Sequence, residues 1–239
     1  MNIKLIPVLI AVFIAAPLMG QQSSGSGMST EESYTQESVE LMIIRETSRT
    51  DVREQKLKSL EYIGNAIEKG NTSDEIVAIL ESLSLEGTLN RATENKRVVN
   101  THPEVRREAV RYLGIVGGEE AKAILIKVLT VEKEPLVLQE AVKSLGLIDS
   151  DENDVTVTKL AWLANRYTYG KAPDELLAIA IVETLDKIAR KNNGIRDRYV
   201  AQALIAISEG RYTQQVRAFA WEVLENLSKY SQNESGQKN

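Results

Sequence analysis

The stretch "HPEVRREAVRYLGIVGGEEAKAILIKVLTVEKEPLVLQEAVKSLGLI", from His102 to Ile148, contains nearly the same phrase twice. The phrase VRREAVRYLG begins at Val105, and VLQEAVKSLG begins at Val137. In both copies, apolar residues follow the first valine at offsets of four, five and eight. Because these offsets place side chains on one face of a helix, the stretch predicts two equivalent amphipathic helices.

The same template occurs three more times, with first residues, here called anchors, at Val52, Leu177 and Val216. Between the five template helices lie helices of a second kind, which begin near Ser73, Glu119, Asp154 and Arg196. The later anchors are 32, 40 and 39 residues apart, which is typical of helical solenoids. The first interval is 53 residues and contains an insertion at about residues 87–102, which we predict to be a loop that could hold a short helix.

The template helices share a sequence signature, Val-Arg-x-x-Ala followed by Leu-Gly, that is fullest from Pro103 to Gly114. It recurs in part at Val52-Arg53 and Val216-Arg217. The alternation of this helix with an Ala/Leu-rich helix resembles the HEAT repeats of the armadillo-like superfamily. The resemblance implies an all-α fold: a right-handed α-solenoid of about four to five HEAT-like helix pairs, an armadillo-like superhelix.

The resemblance also implies which residues line the surface and which join the repeats. In the family, the second helices of the pairs line the concave side, and these are the template helices here. The arginine after the anchor commonly ties adjacent repeats together. Leu138 and Ala178 occupy this position in the third and fourth template helices, so we do not expect a continuous polar ladder.

The N-terminus has the pattern of a secretory signal peptide. Lys4 precedes an uncharged apolar run from Leu5 to Met19, which is shorter than the ~20 residues of a membrane-spanning helix. We predict that residues 1–20 are removed, and retention of the segment as an anchor is the alternative. Because the chain has no Cys, it is not a lipoprotein. These features predict a periplasmic or secreted bacterial protein with no stable membrane insertion after signal removal.

The composition of the remaining chain divides it into three parts. Residues 21–37 are rich in Ser, Gly and Gln and predict a flexible linker. Residues 38–230 hold the repeats, and residues 231–239 predict a disordered tail.

Charge and residue content argue against several kinds of chemistry. The net charge of -5 argues against nucleic acid as a ligand. The one histidine, His102, has no nucleophile motif beside it. The acidic run from Asp149 to Asp154 resembles a calcium loop, but Asp154 and Leu160 replace the Gly and Glu that the pattern requires. We therefore predict no enzyme, no cofactor and no metal site.

The basic stretch from Arg91 to Arg111 reverses the overall acidity of the chain. It is either a solvated face or a docking patch for an acidic partner. Its candidate partner-binding residues are Arg97, Arg107 and Arg111.

The template also predicts a groove formed by the positions two, three, six and seven residues after each anchor. At the sixth position the charge changes from basic to acidic along the chain, through Lys143, Glu183 and Glu222. In the last two template helices, apolar residues occupy outward positions: Ile179, Ala180, Phe219 and Val223. Either the tail or a loop covers them, or they bind a partner helix or strand.

The function that these patterns favour is that of an exported scaffold. Such a scaffold binds another protein through its concave helical surface in the bacterial cell envelope. One alternative is an accessory or enzyme-associated HEAT-like protein that acts on a bound protein. Another is a structural subunit of an envelope assembly that associates with itself.

Overall fold

The computed structural model of the protein describes residues 30–148, 155–170 and 173–236, with side chains from 38 to 230 in these ranges. This part of the chain forms ten helices and one short hairpin. The helices are α1 (Thr30–Ser48), α2 (Arg53–Glu68), α3 (Asp74–Ser84), α4 (Pro103–Val116), α5 (Gly118–Val131), α6 (Pro135–Leu145), α7 (Val155–Thr168), α8 (Glu175–Lys191), α9 (Arg198–Glu209) and α10 (Gln214–Gly236). The strands are β1 (Thr93–Glu94) and β2 (Arg97–Val98).

The helices form five consecutive pairs arranged in two layers. Each odd-numbered helix packs against the even-numbered helix that follows it, and within each layer every helix packs against the next one. One continuous apolar core runs between the layers, and its aliphatic side chains include Leu80, Leu113, Leu129 and Leu177, all fully buried. A single pair leaves its apolar face exposed, whereas a stack of pairs buries it. The fold is therefore an all-α helical-repeat solenoid.

Template residues form the core of the even-numbered helices in the centre of the stack. Val105, Leu113, Val137 and Leu145 are buried, as predicted. The template fails at the two ends. Val52 precedes α2 and is 48% exposed, and Trp221 on α10 is 52% exposed because no described helix follows to cover it.

Small hydroxyl residues seven positions after the anchors join neighbouring even-numbered helices. Ser144 donates a hydrogen bond to the carbonyl of Val110 at 3.0 Å, and Thr184 donates one to the carbonyl of Val142 at 3.2 Å. At the start of the stack, Ser59 on α2 donates to the carbonyl of Ile44 on α1 at 3.0 Å. The prediction that the seventh position faces outward is therefore wrong at these three residues. Their side chains are buried, and each hydroxyl donates its hydrogen bond to a backbone carbonyl of a neighbouring helix.

Gly114 explains why the Leu-Gly part of the signature matters. A Cβ atom at this position would lie 2.6 Å from Cβ and 2.8 Å from Cα of Ser144 on the next even-numbered helix. Only glycine permits this approach, since the backbone of α6 cannot yield as a flexible side chain could. The glycine of the signature therefore allows α4 and α6 to pack closely against each other.

The insertion contains a β-hairpin, and the prediction of a short helix there is wrong. Asn95 and Lys96 connect β1 to β2 with φ values of 48° and 63°. Two consecutive residues in this left-handed region suit the tight turn of a hairpin and end any helix. Asn100 fixes the base of the insertion, since its Nδ2 donates to the carbonyl of Asn90 at 2.7 Å and its Oδ1 accepts from the backbone N–H of Ala92 at 2.9 Å.

The outer helices extend beyond the predicted repeat domain. Helix α1 begins at Thr30, inside the predicted linker, and α10 continues to Gly236, inside the predicted tail. The predicted signal peptide and the acidic run from Asp149 to Asp154 lie outside the described residues. The domain boundaries otherwise stay predictions.

Candidate protein-binding surface

The even-numbered layer presents a row of side chains that faces away from the odd-numbered layer. On each helix these residues are one position before the anchor and three, six and ten positions after it, which places them in one line along the helix. We call this line on the three central even-numbered helices the outer stripe. It comprises Glu104, Glu108, Arg111 and Ile115 on α4, Leu136, Glu140 and Lys143 on α6 with Leu147 two residues after its end, and Leu176, Glu183 and Lys187 on α8, where the remaining position is the buried Ala180.

Four aliphatic residues of the outer stripe are largely exposed. Ile115 is 48% exposed, Leu136 51%, Leu147 55% and Leu176 61%. Leu136 and Leu176 occupy equivalent positions on the neighbouring helices α6 and α8, and Ile115 on α4 is equivalent to Leu147 in the turn after α6. The stripe therefore has an apolar pair at each edge. Exposed aliphatic side chains in such an arrangement are typical of a surface that another molecule covers.

Charged rows separate the two apolar pairs. Glu108 and Glu140 form an acidic row, and Arg111 and Lys143 form a basic row beside it. Within α4 the two rows are joined, because Arg111 Nε donates to the Glu108 carboxylate at 3.1 Å. This hydrogen bond raises the pKa of Arg111, whose guanidinium also lies 4.3 Å from the centroid of the Tyr112 ring. The surface thus combines apolar contact area with ordered charge, as protein-binding surfaces do.

The residues of the basic stretch are divided between α4 and the insertion that contains the hairpin. Arg97 lies exposed on β2, whereas Arg107 and Arg111 lie on α4, exposed and half-buried respectively. Arg91 donates to the carbonyl of Thr88 at 2.7 Å. Whether Arg97, Arg107 and Arg111 bind a partner stays a prediction.

Arg106, from the same stretch, has an internal role. Its Nε donates to Oε2 of Glu132 at 2.6 Å and its Nη2 to Oε1 at 3.3 Å, and both side chains are at least 96% buried. Its Nη1 also donates to the carbonyl of Glu86 at 3.3 Å. Arg106 therefore connects α4 to the segment before it, at Glu86, and to the segment after α5, at Glu132.

The polar ladder is discontinuous, as predicted from the family resemblance. Arg53, the equivalent of Arg106 in the first template helix, pairs across to Glu104 at the start of α4. In α6 and α8 the equivalent Leu138 and Ala178 are buried in the apolar core. At this position, charged side chains therefore connect the early repeats, whereas α6 and α8 have apolar side chains there.

The other predicted site residues divide into two groups. Lys143, Glu183 and Glu222 are exposed, so the change from basic to acidic along the layer lies on the surface. The predicted apolar cluster is not on the surface. Ala180 and Val223 are each 1% exposed, which is a correction to the prediction.

Ile179 and Phe219 are half-buried and pack against the core. Their position two or three residues after the anchor turns them toward neighbouring helices rather than fully outward. Any part that they have in partner binding stays a prediction. On the outer stripe, the sequence analysis missed the exposed apolar residues Ile115, Leu136, Leu147 and Leu176. A template that included the position one residue before the anchor and the position ten residues after it would have found them.

His102 lies directly before α4, and its side chain makes no capping hydrogen bond. Burial, followed by the positive charge of Lys56, lowers the pKa of its imidazole. Among the described residues, no group of His, Asp and Glu side chains suits a metal ion. Within the same ranges, no helix combines the length and apolar character needed to cross a bilayer.

The paired helices and their shared core define the class of this protein as a helical-repeat solenoid. The family model for HEAT repeats matches residues 95–169, which include α4 to α7, and this match supports a HEAT-repeat protein. No curated protein and no solved structure matches the chain significantly. HEAT repeats suggest a protein partner and a role as an interaction scaffold.

Proposed function

We propose that this protein is an exported scaffold that binds another protein through the outer stripe, in the bacterial cell envelope. The observation that carries the proposal is the pair of exposed aliphatic residues at each edge of the stripe. Because these four side chains are about half exposed, a partner that covers them gains about half of the ~1.5 to 3 kcal/mol that full burial of each would contribute. The ordered charges between the pairs give that partner one orientation.

Changing Leu136 and Leu176 together to glutamate should abolish capture of the partner and leave the fold intact. Both side chains are more than half exposed, so little core packing is lost. Two buried leucines at an interface contribute enough free energy that we expect binding to weaken by about 100-fold or more. The measurement is the amount of partner recovered by affinity capture from the native envelope, with circular dichroism and the urea midpoint as checks of folding.

A matched control is the change of Met42 and Ile43 to glutamate. These residues of α1 are 58% and 44% exposed, and they lie at one end of the stack, away from the stripe. The control variant should capture the partner as the unmodified protein does. Equal recovery with the Leu136→Glu and Leu176→Glu variant would place the binding surface elsewhere.

Export is supported by the N-terminal sequence, in which Lys4 precedes the apolar run from Leu5 to Met19. We expect protein recovered from its host envelope to have lost about the first 20 residues. Intact-mass measurement decides this. A mass that includes Met1 would contradict removal of the signal peptide and favour a retained anchor.

A further inference from the structure

A second unusual surface lies in the odd-numbered layer, on α7 and α9. The described side chains include four exposed aromatic residues, and three of them are here: Trp162 and Tyr169 on or just after α7, and Tyr199 on α9. They are 42%, 77% and 48% exposed. The aliphatic residues Val155 and Ile205, 47% and 39% exposed, extend the same surface. We call these five residues and the cations beside them the α7–α9 face.

Each helix of this face places cations against its aromatic rings. The Nζ atom of Lys159 lies 3.7 Å from the centroid of the Trp162 ring, and the guanidinium carbon of Arg166 lies 5.3 Å from the same centroid. On α9, the guanidinium carbon of Arg198 lies 5.1 Å from the Tyr199 ring. The long stems of these cations add apolar area while their charged ends reach solvent.

Side-chain hydrogen bonds hold the two helices side by side. Near their N-termini, Thr158 Oγ1 donates to Oδ2 of Asp197 at 2.6 Å. Near their C-termini, the hydroxyl oxygens of Thr168 and Tyr212 are 3.1 Å apart. The helices are therefore parallel and held together near both ends, so their exposed residues lie on neighbouring helices of the same layer.

The charge of this face is opposite to that of the whole chain. Helix α7 contains Lys159 and Arg166 and no carboxylate, in a protein with a net charge of -5. Helix α9 carries Arg198 and, as its last residue, the exposed Glu209, and Asp197 just before α9 accepts hydrogen bonds from Thr158 and from the backbone N–H of Tyr199 at 2.8 Å. The face thus offers aromatic rings, aliphatic side chains and positive charge together.

We propose that the α7–α9 face binds an anionic membrane surface. Trp and Tyr rings favour the boundary between lipid headgroups and acyl chains, because one part of each ring system is apolar and the other is polar. Lys and Arg beside them are attracted to anionic headgroups, and each contributes about a fivefold increase in affinity. A nucleic acid fits less well, because the exposed aliphatic side chains of Val155 and Ile205 have no counterpart on a phosphate backbone, whereas acyl chains can cover them.

The binding is peripheral and reversible. The acidic run from Asp149 to Asp154 lies outside the described residues, and its charge is opposite to that of Lys159 and Arg166. Salt screens the attraction between these cations and anionic headgroups within about 10 Å at 0.1 M. We therefore expect binding at low salt that falls as salt rises.

The two tryptophans of the chain make the test specific to one surface. In the full chain with Trp221→Phe, Trp162 is the only tryptophan, so tryptophan fluorescence reports on the α7–α9 face. In the full chain with Trp162→Phe, the only tryptophan is Trp221 on α10. We expect vesicles of phosphatidylcholine with 30% phosphatidylglycerol, roughly the charge of an anionic membrane, to shift the Trp162 emission to shorter wavelength. The Trp221 emission should not move, and pure phosphatidylcholine vesicles should shift neither.

Charge reversal supplies the second readout. Lys159→Glu with Arg166→Glu should weaken sedimentation with the anionic vesicles by about 25-fold or more, at fivefold per cation. Lys133→Glu with Lys229→Glu changes the net charge equally, in the loop before α6 and on α10, and should weaken the sedimentation by less than about threefold. The proposal is overturned if Trp162 emission stays unchanged while the protein sediments with vesicles, since another segment such as the N-terminal apolar run is then bound. It is also overturned if both charge variants bind equally, or if no binding occurs at low salt.

Discussion

Replacing Arg106 by methionine should lower the free energy of unfolding by about 3 to 5 kcal/mol. The guanidinium makes two hydrogen bonds to the Glu132 carboxylate, whose side chain is only 2% exposed. Removing it leaves a buried carboxylate without its cation, which is among the most costly changes a core can undergo. The measurement is the urea unfolding curve, analysed for the midpoint and slope.

Two further variants separate charge from packing. Arg106→Met with Glu132→Gln removes both charges, keeps a side-chain oxygen for the backbone N–H groups of Lys133 and Glu134, and should recover most of the lost stability. Arg53→Met removes the equivalent arginine of the first template helix, whose side chain is 41% exposed, and should move the midpoint little. If the double variant unfolds as easily as Arg106→Met, the loss comes from packing and the buried pair has no special part in it.

Changing Leu113 to alanine should lower the free energy of unfolding by about 2 to 5 kcal/mol. Leu113 is fully buried in α4, where two neighbouring even-numbered helices and α3 pack around it. The change removes apolar contacts and leaves a cavity that the surrounding helices cannot fully close. Urea unfolding monitored by the helical signal gives the difference.

The control for this position is Arg107→Ala, six residues earlier on the same helix and exposed to solvent. Its effect should stay within about 0.5 kcal/mol. Similar midpoints for the two variants would mean that α4 presents a different face to the core.

The centre of the stack was predictable because its local and global requirements agree. Val105, Leu113 and Val137 recur at helical spacing, and each repeat meets the same neighbours, so one template describes them all. At the ends this condition fails. Trp221 fits the template and yet is exposed, because a terminal helix lacks the neighbour that the template assumes.

The surface was less predictable, because its residues depend on how neighbouring helices approach. Ser144 and Thr184 are polar and match an outward position on an isolated helix. In the structure both are buried and donate hydrogen bonds to carbonyls of the preceding even-numbered helix. Those carbonyls come within reach only when the helices are stacked. Arg106 is a second example. It belongs to a basic stretch and yet is buried, because it forms an ion pair with the buried carboxylate of Glu132 from a segment that is distant in sequence.

The two proposed surfaces lie on different layers and do not compete. The outer stripe belongs to α4, α6 and α8, whereas the α7–α9 face belongs to the odd-numbered layer. A solenoid exposes both layers along its length. A protein attached to a membrane through α7 and α9 therefore keeps its outer stripe free for a partner, as a scaffold requires.

The most direct test of partner binding through the outer stripe is site-specific photo-crosslinking in the native host. A photoreactive residue at Glu140, between the two apolar pairs, should form an adduct with one dominant protein, which mass spectrometry identifies. The same residue at Glu120, exposed on α5 in the opposite layer, should not form that adduct. Adducts with the same protein from Glu120 and none from Glu140 would contradict the assignment of the binding surface.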